Sequence, residues 1–200
     1  MIEIIPGDQG TDEWKKLRIG SIGGSSIQAV MAKGQGKSRK SLMYRFAGEI
    51  LSGEKYEGYS NADMARGIEQ EPHARAAYEW IEDVDTEQVA LVRHSPGKHY
   101  SPDSLVGNDG IIEIKCVIPS VQVETILQGK IPAAYRKQCQ WGLHICEREW
   151  VDFVSYSPLV RDRDVLIIRT YRNEELIKEM DSEADKFLME LYQIVAEIKK

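Results

Sequence analysis

The sequence lacks long apolar runs, and cysteine and histidine are scarce in it. No apolar stretch is long enough to span a bilayer. The first six residues have neither the basic start nor the apolar core of a signal peptide. The three cysteines form no C-x-x-C pair, which excludes a disulfide framework and a four-cysteine cluster, and the four histidines show no metal-ligand spacing. We therefore expect a cytoplasmic protein that has reduced thiols and no contact with a membrane.

The chain also has no excess of positively charged residues. The chain has 26 Lys and Arg against 32 Asp and Glu, a net charge of −6, which argues against a protein that coats nucleic acid non-specifically. A local basic patch is still present, because Lys33, Lys37, Arg39 and Lys40 fall within eight residues that contain no acid. Lys37, Arg39 and Lys40 are therefore candidate DNA-binding residues, although the same run also fits a solvated loop.

The rest of the composition is that of a globular chain. Hydrophobic residues make up 42% and charged residues 29%, and no repeat or linker divides the sequence, which predicts a single domain over residues 1–200. Helical patterns come first, and strand patterns occupy residues 89–116 and 150–171 with one helix between them. A long amphipathic helix from Asn173 ends the chain. This order predicts a mixed α/β (α+β) fold in which helices flank a sheet.

The most informative pattern is a predicted β-hairpin with three charged side chains. Ser101-Pro102-Asp103 precedes a short apolar segment, Gly107-Asn108-Asp109-Gly110 is a turn signal, and Glu113-Ile114-Lys115 lies in the returning strand. Glu113 and Lys115 are two residues apart and share a face, while Ile112 and Ile114 point the other way. Folding at the turn brings Asp103 level with them, so we expect a charged site at the hairpin edge.

Two acids and an amine suit a divalent cation that assists phosphodiester hydrolysis. Asp103, Glu113 and the carbonyl of Ile114 would bind Mg²⁺, as one ion or two, with Mn²⁺ able to substitute. Lys115 would orient the attacking water or help to deprotonate it, with a pKa lowered near the metal. The simpler interpretation is a turn aspartate beside a solvated strand face. The apolar strand favours half-buried charges, which need a partner or a metal.

Glu71 and Gln138 are secondary candidates on predicted helices. Glu71 lies on a largely apolar stripe, where it would be a third acid holding a metal-bound water, or an ordinary intrahelical partner of Arg75. The amide of Gln138 could hydrogen-bond the attacking water or the phosphate, or could simply be solvated.

Arg18 and Ser25 bracket a glycine-rich segment near the start of the chain. Arginine binds phosphate in a bidentate manner, and small residues allow a phosphate to approach the backbone. Alone, Arg18 also fits a surface arginine, and Ser25 or Ser26 also fits the cap of a short helix.

Taken together, these residues resemble the lambda-type alkaline exonucleases, phage enzymes of the YqaJ-like viral recombinase family within the PD-(D/E)xK nuclease superfamily. The resemblance covers nearly the whole chain, and its landmarks stand in the family's order. They are Trp14 to Gly20 with Ser25, Gly67 to Glu71, Ser101 to Leu105, Glu113 to Cys116, and Tyr135 with Gln138 and Gln140.

The resemblance implies a restriction-endonuclease-like core with a central mixed β-sheet, and a 5′-to-3′ exonuclease that acts on linear double-stranded DNA. The enzyme would release mononucleotides and leave 3′ single strands for annealing recombination. Asp103, Glu113 and the Ile114 carbonyl would hold Mg²⁺, and Lys115 would act on the water. Glu71 and Gln138 would complete the catalytic set, while Arg18 and Ser25 would bind the 5′-phosphate.

The resemblance also implies a homotrimeric ring, a single-strand annealing recombinase as partner, and phage or prophage origin in a bacterial host. Gly23-Gly24 departs from the family, which commonly has threonine and alanine near the phosphate pocket. Two alternatives stay open: an endonuclease or junction resolvase of the same superfamily, and a DNA-binding domain that has lost cleavage.

Overall fold

The computed structural model describes residues 2–32, 37–56 and 62–200, which form two β-sheets with helices packed around them. The strands are β1 (Glu3–Ile5), β2 (Thr86–Glu87), β3 (Leu91–Ser95), β4 (Lys98–Tyr100), β5 (Ser104–Val106), β6 (Gly110–Cys116), β7 (Trp150–Tyr156) and β8 (Val165–Tyr171). The helices are α1 (Asp12–Leu17), α2 (Gly24–Val30), α3 (Lys37–Ser52), α4 (Ala62–Glu82), α5 (Pro119–Gln128), α6 (Ala133–Ile145) and α7 (Glu174–Ile198).

The larger sheet has five strands in the order β2-β5-β6-β7-β8, so β6 lies at its centre. The strands β6 and β7 are parallel, and the other neighbours are antiparallel. A parallel pair needs a crossover connection, and α5 and α6 provide it. The second sheet, β1-β3-β4, is antiparallel throughout. A mixed sheet flanked by helices confirms the predicted fold class.

Side chains of β6 alternate between two apolar cores. Ile111 belongs to the larger core, to which α2, α3, α6 and α7 contribute on one side of the sheet. Ile112 and Ile114 point the opposite way and pack in a second core with Ala74 and Tyr78 of α4. Because both faces of β6 are covered by helices, the charged residues of this strand are held away from bulk water.

Strands β7 and β8 lie within the predicted strand region 150–171 and reach both of its ends. Asn173, the predicted start of the long helix, caps α7 by accepting a hydrogen bond from the backbone N–H of Leu176 at 3.0 Å. The prediction of a single helix between the strand pairs is wrong, because α5 precedes α6. The ends of α5 did have local signals, since the helix begins at Pro119 and ends at Gln128, and the next residue, Gly129, has a φ of +57° that favours glycine. Within the described ranges, no helix combines the length and apolar character needed to cross a membrane.

Candidate active site

The candidate site lies before the start of β5, where β6 extends past β5 and is paired only with β7. Only Gly110 to Ile112 of β6 pair with β5, so the last four residues of β6 have no β5 partner. Asp103, the residue before β5, fills part of this opening by accepting a hydrogen bond from the N–H of Ile114 on Oδ2 at 2.5 Å. The predicted hairpin is therefore confirmed, but its position at an edge is wrong. The charged strand is the central strand of the sheet.

Glu113 is the most enclosed acid of the site, with a relative exposure of 2%. Its Oε1 accepts hydrogen bonds from the amide of Gln138 at 2.5 Å and from the ammonium group of Lys115. Its Oε2 accepts a hydrogen bond from the hydroxyl of Tyr100. Three donors therefore hold this carboxylate in one orientation.

Tyr100 is a site residue that the sequence analysis missed. Its ring is fully buried, and it comes from β4, which lies in the predicted strand region 89–116 but was not identified as a separate strand. The only local signal was its position three residues before Asp103, since nothing in the sequence places a tyrosine against an acid of another sheet. The contact arises from packing between the two sheets.

Burial and a neighbouring like charge both act on Asp103. Burial, and then the neighbouring Glu113 charge, raise the pKa of Asp103 well above its ordinary value, although Lys115 acts in the opposite direction. Burial alone would lower the pKa of Lys115, but the Glu113 and Asp103 carboxylates outweigh it and raise that pKa. This direction belongs to the metal-free chain, and the lowering expected beside a bound cation stays a prediction.

The donor set of the site fits a hard divalent cation. The N–H and C=O of one strand residue point to the same side, so the Ile114 carbonyl faces the opening where its N–H meets Asp103. Asp103 and the buried Glu113 repel each other, which raises the pKa of Asp103, and a cation would relieve that repulsion. Mg²⁺ typically takes one or two carboxylates and keeps several waters. Among residues 2–32, 37–56 and 62–200, no group of three His, Cys, Asp or Glu side chains forms a richer metal centre.

Glu71 reaches the site through an arginine. The guanidinium of Arg75 donates to Glu71 at 2.5 Å, to the Ser104 hydroxyl at 3.0 Å and to the Asp103 carbonyl at 3.2 Å. The simpler interpretation, an intrahelical ion pair, is therefore present. The same arginine also anchors the start of β5, and the Glu71 charge contributes to raising the pKa of Asp103. Glu71 thus lies at the rim of the site.

Arg18 occupies a separate, half-buried position. Its guanidinium lies over the ring of Trp14, 3.8 Å from the centroid, and its Nε donates to Nε2 of His99 at 3.1 Å. His99 Nδ1 is 2.7 Å from the hydroxyl of Ser21. Burial lowers the pKa of Arg18 to about 10, against the opposing effect of Glu49, so the guanidinium stays charged at neutral pH. His99 is a second residue that the sequence analysis missed, since it assigned the histidines no role.

No hydrogen bond joins the described residues Ser25 and Arg18, although both lie near the start of α2. The helix is capped by Gly23, which replaces the predicted Ser25 or Ser26 cap, and the Ser26 hydroxyl accepts a hydrogen bond from the Gly23 N–H at 3.0 Å. Ser25 is exposed on the first turn of the helix. A single ligand that binds both Arg18 and Ser25 would therefore have to span the gap between them.

The basic patch divides into exposed and paired cations. Lys37 and Lys40 are exposed on the first turn of α3. Arg39 makes a bidentate ion pair with Glu190 of α7, at 2.8 and 2.9 Å, and its side chain is only 14% exposed. Its guanidinium is therefore already committed to a partner, which argues against a role in guiding DNA. Lys33 lies outside the described residues.

Comparison with known proteins gives a consistent result. Residues 13–149 match the model of the YqaJ-like viral recombinase domain. The alkaline exonuclease LHK-Exo from Laribacter hongkongensis is 37% identical over 94% of this chain and 96% of that chain, with a TM-score of 0.88. LHK-Exo in complex with dAMP gives 38% identity, the same coverage and the same TM-score. A phage-related exonuclease from Haemophilus somnus 129PT shares the fold at 18% identity and a TM-score of 0.67, over 92% of this chain and 99% of that one. No curated protein sequence matches the chain.

Proposed function

The chain belongs to the YqaJ-like viral recombinase family, and from this premise we propose that it is a Mg²⁺-dependent 5′-to-3′ exonuclease acting on linear double-stranded DNA. It releases mononucleotides and leaves a 3′ single strand for annealing recombination. The observation that supports this most directly is the convergence of Asp103, Glu113 and Lys115 beside the open part of β6. The complex of the related LHK-Exo with dAMP is consistent with a mononucleotide product.

The proposed cation site consists of Asp103, Glu113 and the Ile114 carbonyl, and Mn²⁺ would substitute for Mg²⁺ there. When bound, as one ion or two, the cation supplies Lewis-acid activation of the phosphate and of the attacking water. The chain supplies the fixed positions of the ligands. Glu113 is held by three donors and Asp103 by the Ile114 N–H, so little reorganisation is needed when the substrate enters.

Lys115 enters this scheme as an ammonium group. In the metal-free chain the Glu113 and Asp103 carboxylates raise the pKa of Lys115, so its side chain is protonated at neutral pH and donates a hydrogen bond to Glu113. We assign it the orientation of the attacking water and partial neutralisation of the phosphate. Gln138 and Glu71 act beside it, the first by holding Glu113 and the second, through Arg75, by holding the Asp103 segment.

Recognition of the DNA end is assigned to Arg18 and Ser25. Arg18 uses only Nε to bind His99, and in the part of the chain that the structure describes neither of its terminal nitrogens has a protein partner. A guanidinium with two free N–H groups matches the geometry of a phosphate. Lys37 and Lys40 are the exposed cations assigned to the DNA backbone.

The assembly and cellular setting belong to the same proposal. Family membership supports a homotrimeric ring, a single-strand annealing recombinase as partner, and action in the cytoplasm of a bacterial host by a phage or prophage protein. Sedimentation of the purified protein tests the ring, since a monomer or dimer at working concentration contradicts it.

The test of the reaction uses matched linear and covalently closed circular duplexes, with Mg²⁺ or with a chelator. We expect the linear form, labelled at its 5′ phosphate, to release mononucleotides only with Mg²⁺, while the circle stays intact. Asp103→Asn should bind ends but release nothing, because it lacks a charged ligand. Nicked circles would indicate the endonuclease or resolvase alternative. No product from any duplex would indicate a DNA-binding domain that has lost cleavage.

A further inference from the structure

Strand β4 is a three-residue segment fixed on both of its edges. On one side it pairs with β3, where Tyr100 lies opposite Val92 and His99 opposite Arg93. On the other side the His99 N–H donates to the carbonyl of Ile22 at 3.0 Å. All three of its side chains are buried. Such a segment has little freedom to shift along its own direction.

The ring of Tyr100 is clamped between two glycines. A Cβ added at Gly24 would lie 2.5 Å from its Cε2, and a Cβ added at Gly142 would lie 2.7 Å from its Cζ. Side chains cannot approach that closely, so glycine at both positions lets the backbones contact the ring. The ring therefore holds its hydroxyl against Oε2 of Glu113. The glycine at position 24, a departure from the family pattern, has a physical reason here.

His99, the preceding residue, is fixed in the same way on the opposite side of the strand. Its Nε2 accepts from Nε of Arg18, so Nδ1 must carry the proton and donate to the Ser21 hydroxyl. A Cβ at Gly23 would lie 2.6 Å from Nε2, which leaves the ring no room to swing. Both nitrogens and one edge of the imidazole are thus occupied.

Arg18 is consequently held on two sides. His99 fixes Nε, and Trp14 supports the plane of the guanidinium. Trp14 is itself anchored, because its indole N–H donates to the Ala90 carbonyl and to the Ser101 hydroxyl, each at 3.0 Å. The terminal nitrogens of the arginine keep a defined direction while remaining free for a ligand.

We propose that β4 is the positioning strand of the site: Tyr100 orients the cation ligand Glu113, and His99 orients the phosphate-binding Arg18. Because the two residues are adjacent on one fixed strand, they set the distance between the receptor for the terminal phosphate and the cleavage centre. This inference rests on the proposed function. It adds two positioning residues, neither of which touches the substrate, and explains the glycines at 23 and 24.

The test separates the role of Tyr100 from the role of His99 by two measurements that need no hydrolysis. The first readout is the affinity of the DNA-free protein for Mn²⁺. The second is the ratio of affinities for 5′-phosphorylated and 5′-hydroxyl duplex ends, measured with a chelator present. Tyr100→Phe should weaken Mn²⁺ binding about 10-fold, as loss of a residue that supports a metal ligand typically does, and leave the end ratio unchanged. Tyr171→Phe, at an exposed tyrosine, is the matched control and should change neither.

His99→Leu should abolish the preference for phosphorylated ends and leave Mn²⁺ affinity unchanged. His99→Gln should restore part of the preference, because its amide oxygen can accept from Arg18. If His99→Leu does not fold, Ser21→Ala tests the same point, since it removes the group that fixes the imidazole tautomer, and it should reduce the preference.

Several results would overturn the inference. Mn²⁺ affinity within twofold of wild type in Tyr100→Phe would remove that residue from the positioning of Glu113. Equal losses of both readouts in each variant would indicate general damage to the fold rather than two separate roles. A wild-type protein without any preference for phosphorylated ends would overturn the His99 half. If the wild type binds Mn²⁺ and phosphorylated ends but releases no nucleotide, the proposed function fails while the positioning roles stand.

Discussion

Replacing Asp103 with asparagine should make the protein more stable while it removes activity. In the folded chain, burial and the Glu113 charge disfavour the ionised form of Asp103, so its pKa lies well above the ordinary value of about 3.9. The unfolded chain ionises this group freely. Stability is therefore lost as the pH rises from the unfolded pKa towards the folded one, and at neutral pH that loss is present.

The neutral amide removes the repulsion and preserves the backbone contact. Its oxygen can still accept from the Ile114 N–H, which Asp103 now does at 2.5 Å, and Lys115 keeps Glu113 as its partner. We expect the free energy of unfolding at pH 7 to rise by roughly 0.5–2 kcal/mol, the usual gain from a single stabilising substitution. For a chain of this length each kcal/mol corresponds to roughly 2–4 °C in melting temperature.

Thermal unfolding with and without a cation measures both effects. At a concentration 100-fold above its Kd, Mg²⁺ or Mn²⁺ should stabilise the wild type by about 2.7 kcal/mol, and it should leave Asp103→Asn unchanged. Asp109→Asn, the same change at an exposed position of the same hairpin, is the control. Its thermal unfolding curves, with and without the cation, should match those of the wild type. This account of the site would be refuted if Asp103→Asn were less stable than the wild type without the cation. It would also be refuted if the cation stabilised Asp103→Asn as much as it stabilises the wild type.

Three further outcomes are expected from variants elsewhere. Joint replacement of Lys37 and Lys40 by alanine should reduce the salt dependence of DNA affinity by roughly 0.9 in slope per lost phosphate contact, whereas Arg39→Ala should mainly lower the melting temperature. Burial lowers the pKa of His99, so the free energy of unfolding should fall below about pH 6.5 by up to about 1.4 kcal/mol per pH unit. In denaturant titrations at several pH values, His99→Gln should reduce this loss of stability at acid pH. Gly142→Ala puts a Cβ 2.7 Å from the buried tyrosine ring of the site and should cost about 1–3 kcal/mol of stability, measured by urea unfolding.

Local chemistry in the sequence was sufficient for much of the fold. The hairpin follows from its turn, where Gly107 adopts a φ of +52°, and from the alternation of side chains along β6. The long strands and α7 were equally accessible, because each has enough residues to show its own period and caps. Asp103, Glu113 and Lys115 could be placed together because only a turn of a few residues separates them.

Tertiary structure alone decided how these groups are held. His99 meets Arg18 across 81 positions of the chain, and Arg39 meets Glu190 across 151. β4 has only three residues, too few for a period to show, and it is a strand because β3 and Ile22 supply its hydrogen bonds. Hydrophobic alternation specifies which side of a strand is buried, but contacts between distant segments depend on how the sheets and helices pack. For that reason the acids of the site could be predicted from the chain, whereas the strand that carries Tyr100 and His99 could not.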